Sequence, residues 1–420
     1  METPRVAESE AAAKGALAGD PSAQLVMALG RAYHQAGVSS DQLEDLMSVA
    51  ARSLGLELQV TALPTSITAA IGPGDAQRIV LLRLEPGAID LRRLSLLNLV
   101  FERIVHRQTS PATATREVER IAALRHDARP LQGVAAYTLL SLGAAVILGG
   151  HEQENLAAAI VGLAVGLLSV IGQRSATVGR LFEVLAAFVA TAIVTLYAAV
   201  FHPLNVYVPL VAGVIQLLPG LQLTSALHEL AYRNLVAGTA RLGGVLMTLL
   251  SLGCGFALGI SILGPGQMHV GEIAFNPLPW YELTLAVLAI GTAVAILENA
   301  RRIDYPLVLA SCAVAEVSYR LFAALPGHQL ATFGAALVVG LLTSAGARLA
   351  RLPQAVLLVP GLIILVPGSL SYESVLYVLQ SNASGAVAIA VNSVLAAVEI
   401  VAGLLLAQLF LTPSHRHDDV

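Results

Sequence analysis

Ten apolar runs of about 17–25 residues, the length that crosses roughly 30 Å of hydrocarbon, fill the chain after Pro130 and leave it few folds to adopt. They cover residues 132–150, 155–172, 181–201, 204–219, 238–263, 280–298, 305–325, 329–349, 354–367 and 385–411. The fourth and ninth are short and end in Pro-Gly breaks. Backbone in lipid must satisfy its own hydrogen bonds, so such runs predict membrane helices. Only 12% of the 420 residues are charged, and mean hydropathy is +0.74. Thirteen of the 23 arginines and the only lysine, Lys14, precede Pro130. The chain therefore reads as mainly α, a polytopic membrane protein of about ten transmembrane helices with a small cytoplasmic α/β domain in front.

The loops test this reading independently, because short cytoplasmic loops collect Arg and Lys. Arg125 and Arg129 precede the first run, Arg174 and Arg180 follow the second, and Arg233 and Arg241 flank the polar stretch after the fourth. Arg301 and Arg302 follow the sixth, Arg348 and Arg351 the eighth, and Arg416 the tenth; the other five connections carry no Arg or Lys. Alternate loops are basic, which predicts a multi-pass plasma-membrane protein with both termini cytoplasmic. The first residues lack the apolar core of a signal peptide and read as a disordered tail.

The resulting layout is a tail (1–21), an α/β domain (22–128), a first five-span half (130–264), an external linker (265–279), a second five-span half (280–411) and a cytoplasmic tail (412–420). Within the α/β domain, Leu25, Ala28, Leu29, Ala32 and Ala36 share one helical face that closes at Gly37. A second helix starts at Ser40 or Asp41, with Asp41 and Glu44 spaced as a capping box. ELQVTALPTSITAAIG and AQRIVLLRLEP read as strands, and 90–107 and 113–125 as helices. No phosphate loop or nucleophile elbow is present, so the chain is not read as an enzyme. Cys254 and Cys312, both inside apolar runs, read as small buried hydrophobes rather than disulfide or metal ligands. A net charge of −4 argues against nucleic acid, and no cofactor or metal is expected.

The two halves repeat a pattern. GVIQLLPG, Gly213 to Gly220, is followed by Asn234; GLIILVPG, Gly361 to Gly368, is followed by Asn382 at the same spacing of fourteen residues. With five spans per half, an odd number, the second copy must lie inverted relative to the first. Inverted repeats with broken helices at matching positions are the architecture of many secondary transporters.

The stretch PLVAGVIQLLPGLQLTSALHELAYRNLVAGTARLGG resembles the threonine/serine exporter family, and VPGLIILVPGSLSYESVLYVLQSNASG resembles that family's C-terminal domain. GRAYHQAG, the QLED run, ARSLGL and LPTSI extend the resemblance over roughly residues 25 to 410. Pro219, Gly220, Thr224, Gly238 and Arg241 match the family pattern. His228-Glu229 replaces its usual Arg-Asp, Arg233-Asn234 its Gly-Asp, and Gln42-Leu43-Glu44 its Arg-Val-Glu. The resemblance implies export of small hydroxylated amino acids, and the lack of an ATP-binding sequence favours an ion gradient as the driving force.

Candidate substrate residues cluster at the breaks: Gly213, Pro219, Gly220, Thr224, Ser225, His228, Glu229 and Arg241 in the first half, and Pro360, Gly361, Pro367, Gly368 and Asn382 in the second. A half-helix starting at Gly220 offers free N–H groups to a carboxylate, and Thr224 and Ser225 either cap it or touch substrate. His228 and Glu229 read more readily as a solvated cytoplasmic face. Glu316 and Glu399 fall near the middle of spans seven and ten, where a charge costs about 2.5–3.5 kcal/mol on insertion scales. Arg320 lies at i+4 from Glu316, and Asn392 two turns before Glu399, which has no partner in its own span. Glu399 is the candidate proton carrier; Glu316, Arg320 and Asn392 are further proton-coupling candidates, and the Glu316–Arg320 pair reads also as a structural bridge. The expected partners are a small amino acid, the bilayer and protons, and a homo-oligomer is allowed. The competing reading is a membrane-anchored sensor or scaffold whose cytoplasmic domain binds a ligand.

Overall fold

The computed structural model describes residues 9, 12–13, 15–74, 77–85, 87–124, 129–201, 204–263, 278–325, 330–350, 352–365 and 383–411. The chain divides into two compact units. One comprises residues 1–127, 225–242 and 350–356; the other comprises 128–224, 243–349 and 357–420.

The first unit holds helices α1 (Pro21–Gln35) and α2 (Ser40–Ser53), strands β1 (Leu58–Leu63), β2 (Ser66–Ile71) and β3 (Arg78–Arg83), and helices α3 (Leu91–Val105) and α4 (Pro111–Ala122). Asp20 caps α1 by accepting from the Ala23 N–H at 3.0 Å, ahead of Pro21, which sits where a missing N–H costs nothing. Leu25, Leu29, Ala32 and Ala36 are buried, as the helical spacing requires. The expected capping box at Asp41 and Glu44 does not form: α2 has no side-chain cap of its own, and Glu44 accepts instead from the Ala62 N–H of β1 at 2.7 Å. The strand segment expected over 57–72 is a hairpin, in which Pro64-Thr65 turns the chain and Leu63 pairs with Ser66. The sheet is antiparallel in the order β1-β2-β3. Its β2 face buries Ile67, Ala69 and Ile71, the alternation expected of a half-covered sheet.

After Pro130 the chain forms apolar helices, of which residues 225–242 and 350–356 belong to the first unit and the rest to the second: α5 (Pro130–Ile147), α6 (Glu152–Arg174), α7 (Phe182–Val200), α8 (Tyr207–Gly213), α9 (Gly220–Ala231), α10 (Leu235–Leu263), α11 (Trp280–Leu297), α12 (Tyr305–Ala323), α13 (Ala331–Ala350), α14 (Ala355–Leu365) and α15 (Ala383–Leu411). The chain leaves the second unit for the first between Thr224 and Ser225, and re-enters it between Leu242 and Gly243.

Among the described residues eight helices are long and apolar enough to cross a membrane, or nine if α8 and the segment Ile215–Ala231, bent by 56°, form one broken span. Eleven-residue α14, where the ninth span was expected, reaches only about 17 Å at 1.5 Å per residue, so length alone does not make it a span.

The outward faces carry Leu196, Leu246, Met247, Leu250, Leu285 and Leu321, all exposed, while the inward faces are small. A Cβ added at Gly143 would meet Ile290 and the Ala286 carbonyl, one at Gly162 would meet Ser141, and one at Gly403 the Phe333 carbonyl. Packing through small residues is how helices approach one another where no hydrophobic force separates them from lipid. Cys312 is buried as expected, but Cys254 is exposed; on a helix whose outer face is apolar, a thiol is tolerated there as readily as an alanine.

Candidate functional site

At the first break, α8 stops at Gly213 and a 3-10 turn, Ile215–Leu217, leads to Pro219 and the start of α9. Gly213 is packed so tightly that a Cβ would lie 2.2 Å from Val161 Cγ1 of α6. The first intrahelical bond of α9 runs from Leu223 N–H to the Pro219 carbonyl at 2.9 Å, which puts the amides of Gly220 to Gln222 ahead of it. Buried Thr224 donates its hydroxyl to the Gly220 carbonyl at 3.2 Å; it therefore bonds back along α9 rather than capping it. Ser225 is half-buried. Leu221 packs against a cluster of the second half that includes Leu362, Leu365, Val339 and Ile400, so the residue after the first break meets a core to which the second-half helix α14 contributes.

At that second helix, α14, Pro360 sits inside the turn and side chains of α12 take up its carbonyls. Ser311 donates to the Leu357 carbonyl, and Cys312 Sγ lies 3.6 Å from the Pro360 carbonyl. Gly361 faces Ser311 and Val339 so closely that a Cβ would lie within about 3 Å of both. Pro367, Gly368 and Asn382 lie outside the described residues.

The intramembrane charges form a second constellation. Arg320 Nε donates to Glu316 Oε1 at 2.6 Å, with the Glu316 side chain 4% exposed. Glu399 was expected near mid-span with no partner in its own span. Its partners come from another helix, the Thr332 side chain and the Phe333 backbone, in the first turn of α13, where amides lack intrahelical acceptors. Glu399 is therefore level with the start of span eight. Tyr319 lies within electrostatic reach of Glu316, Arg320 and Glu399, so three of the four proposed proton-coupling residues share one neighbourhood. Asn392 is exposed on α15 and is not among them.

The polar stretch at the end of α9 is not a solvated face. Glu229 is 0% exposed, and its Oε1 accepts from the Ser40 N–H at 3.1 Å and from Arg241 Nε at 2.8 Å. The α2 helix, which lacks a side-chain cap of its own, thus has a first-turn amide satisfied by a residue 189 positions away. His228 Nδ1 lies 3.7 Å from Asp41 Oδ2, and its ring lies against Tyr232 at 4.7 Å. Arg233 adopts φ 63° and lets the Asn234 N–H reach the Glu229 carbonyl at 2.8 Å, ending α9 in the left-handed turn usual for helix C-termini. Gly238 then allows α10 to pass against Leu230 and the Ala226 carbonyl.

His34, which sequence reasoning passed over, and Glu44, which it read as part of a capping box, complete this cluster. Buried His34 bonds to the Leu63 and Pro64 carbonyls; burial, joined by the nearby Arg241 charge, lowers its pKa despite those bonds. Burial raises the Glu44 carboxyl, with Asp41, Asp45 and Glu229 adding to it and the Ala62 N–H opposing it. Glu229 Oε2, Asp41 Oδ1 and His34 Nδ1 are buried with no hydrogen-bond partner among the described residues. Among those residues no group of three or more His, Cys, Asp or Glu is placed to hold a metal ion.

A third pair was also missed. Gln216, in the 3-10 turn of the first break, donates Nε2 to Glu298 Oε1 at 3.2 Å, and Tyr137 of α5 lies within reach of the Glu298 charge. The only signal in the sequence was a glutamine inside an apolar run.

Residues 24–263, more than half the chain, match a family model for threonine/serine exporters, and residues 283–410 match a second. The chain belongs to the threonine/serine exporter family. Curated relatives of this family member include pheromone-regulated membrane protein 10 of Kluyveromyces lactis, 24% identical over 418 residues, covering 93% of this chain and 44% of the relative. The same-named protein of Eremothecium gossypii is 25% identical over 403 residues, covering 92% and 54%. An uncharacterized Schizosaccharomyces pombe protein is 23% identical over 301 residues, covering 68% and 36%. The chain spans about half the length or less of the relatives it matches. No solved structure matches it. The exporter family is a transporter family rather than an enzymatic one, and its long apolar helices make this member a multi-pass membrane protein.

Proposed function

We propose that this protein is a secondary transporter that exports small hydroxylated amino acids, threonine and serine, across the plasma membrane against inward proton flow. The observation that carries the reading is the bent break between α8 and α9 inside an apolar helical unit, with Leu221 after it packed on a second-half cluster to which α14 contributes Leu362 and Leu365. Unpaired backbone at membrane depth is tolerated only where it is buried in protein or faces a cavity, and transporters build substrate sites from such interruptions.

The proposed arrangement is two inverted halves of five spans each, ten in total, with cytoplasmic termini and the α/β domain on the cytoplasmic side. Several pairings support it. Spans one and six, α5 and α11, are both 18 residues long and pack on each other. Spans five and ten, α10 and α15, are both 29 residues long. Gly213 abuts span two and Gly361 abuts span seven, the contact that a repeat would reproduce. In this scheme the amides at Gly220 receive the substrate carboxylate, Thr224 and Ser225 border the path, and the Gly213, Pro219, Pro360 and Gly361 breaks supply the hinge. Glu399 carries the coupling proton beside Glu316 and Arg320. His228, Glu229 and Arg241 act by holding the polar segment in place, and exposed Asn392 is available to a second copy of the chain.

The test is efflux of labelled threonine, serine and alanine from proteoliposomes, with and without a pH gradient. Threonine and serine efflux that accelerates with an inward proton gradient is expected; no flux of any of the three would refute the reading. One observation favours the sensor alternative: a cavity of about 520 Å³ in the first unit, lined by Met27, Arg31, Leu82, Thr115 and Arg116 among others, has the size of a small-molecule site. Ligand-induced thermal stabilisation abolished by Ala28→Trp, in a protein without flux, would favour it.

A further inference from the structure

We propose that the cavity of about 520 Å³ in the first unit binds a small monocarboxylate with an apolar body. The site shares no residue with the proposed transport path. It goes beyond the transporter reading and does not need it, because binding is measured without flux.

The space arises where α1 packs on α4. Ala28 of α1 and Ala112 of α4 both line it, and side chains this small do not fill the gap between two helices. Buried Leu17, Met27 and Leu82 form an apolar floor, whereas exposed Pro21, Ala112 and Arg116 mark the mouth. Protein interiors keep few voids larger than a water molecule, and apolar walls give water few hydrogen-bond partners. A recess of this size, within the roughly 300–1,000 Å³ of small-molecule sites, therefore suits an apolar ligand body.

The polar groups of the lining select the head group. Gln24 donates Nε2 to the Leu17 carbonyl at 3.0 Å, and Thr115 donates Oγ1 to the Pro111 carbonyl at 2.9 Å, so both are tied to the fold. Arg31 and Glu119 bring opposite charges to the lining and offset each other. Arg116 supplies the remaining charge. Its Nε donates to the Ala112 carbonyl at 3.3 Å, which holds the guanidinium along α4. Its two terminal nitrogens make no hydrogen bond or ion pair among the described residues. A guanidinium presents such nitrogens as a planar fork that matches a carboxylate. Two arginines against one glutamate leave a single net positive charge on the lining, which one carboxylate neutralises and a dianion exceeds. An uncharged amide of the same length would leave the fork without a counter-charge.

The test is equilibrium dialysis of the full detergent-solubilised chain with labelled hexanoate, compared with hexanamide, which has the same length and no charge, and with hexyl phosphate. Saturable hexanoate binding at least tenfold tighter than that of either is expected. Arg116→Gln, at an exposed position, should bring hexanoate to the affinity of hexanamide, and Ala28→Trp should abolish binding of both by filling the space. Should the tryptophan variant not fold, Arg116→Gln carries the test alone. No saturable hexanoate binding, equal binding of hexanoate and hexanamide, or tighter binding of hexyl phosphate would overturn the assignment. So would a tenfold preference retained in Arg116→Gln, or wild-type binding in a folded Ala28→Trp. Efflux is a separate measurement, so failure of the transporter reading leaves this result standing.

Discussion

Arg241 places its Nε 2.8 Å from Oε1 of Glu229, a carboxylate that is 0% exposed and also receives the Ser40 N–H. Removing one partner of a buried pair strands the other charge, at a cost of about 3–5 kcal/mol. Arg241→Met should therefore destabilise the detergent-solubilised protein by about 3 kcal/mol, and Glu229→Gln by less, because a neutral amide still accepts from Ser40. Denaturation midpoints of the two single variants and the double variant check this; a double variant no more stable than Arg241→Met would contradict the stranded-charge account.

Acidification should loosen the same unit. His34 has a lowered pKa in the fold, so its stabilising contribution is present above its ordinary value of about 6.5 and is lost as pH falls from there toward the folded value. Glu44, whose pKa is raised, has the opposite sign: its contribution is present below about 4.5 and lost as pH rises through the folded value. A loss on moving from about pH 7 toward 5 therefore has the sign of His34 and not of Glu44. Melting temperature against pH should decline over that window in wild-type protein and decline less in His34→Gln.

The contact of Gly213 with Val161 predicts a steric defect with a matched rescue. Gly213→Ala forces a Cβ to within 2.2 Å of Val161 Cγ1, and overpacking of this kind costs about 1–3 kcal/mol. Gly213→Ala should lower thermal stability and threonine flux, and adding Val161→Ala should restore both. Failure of the second change to restore either would place the defect elsewhere.

Glu399→Gln separates the proton from the substrate. Downhill threonine exchange should continue, while uphill accumulation driven by a proton gradient should fall to background. Full gradient-driven accumulation in the variant would exclude Glu399 as the carrier. Thr332→Val, which removes one hydrogen bond to that carboxylate, should shift the pH dependence of transport without abolishing it.

The helices of both units were legible because their causes are local. Periodicity put Leu25, Leu29 and Ala32 on one face, Gly37 stopped α1, and uncharged runs of sufficient length became membrane helices whose outward residues are exposed and apolar. The Pro-Gly break of the fourth span was visible for the same reason, since proline removes a donor wherever it stands. The Glu316–Arg320 pair followed from i,i+4 spacing and is formed at 2.6 Å.

What a residue does with its charge was not legible in this way. Glu44 has the spacing of a capping box, yet it bonds to β1, because the hairpin brings the Ala62 N–H closer than the start of its own helix. Glu399 has no partner in its own span, and the sequence could not name Thr332 and Phe333 because they sit on another helix. Glu298 and Gln216 are 82 residues apart, and neither stands out until the break in one span is set beside the end of another.

By itself the sequence determined where the chain is helical, where it is interrupted and which segments suit lipid, since those properties depend on neighbours within a few turns. Tertiary structure alone decided which buried polar groups meet. A carboxylate out of water requires a donor from whatever element packs against it, and for Glu229 that donor lies 189 residues away in α2.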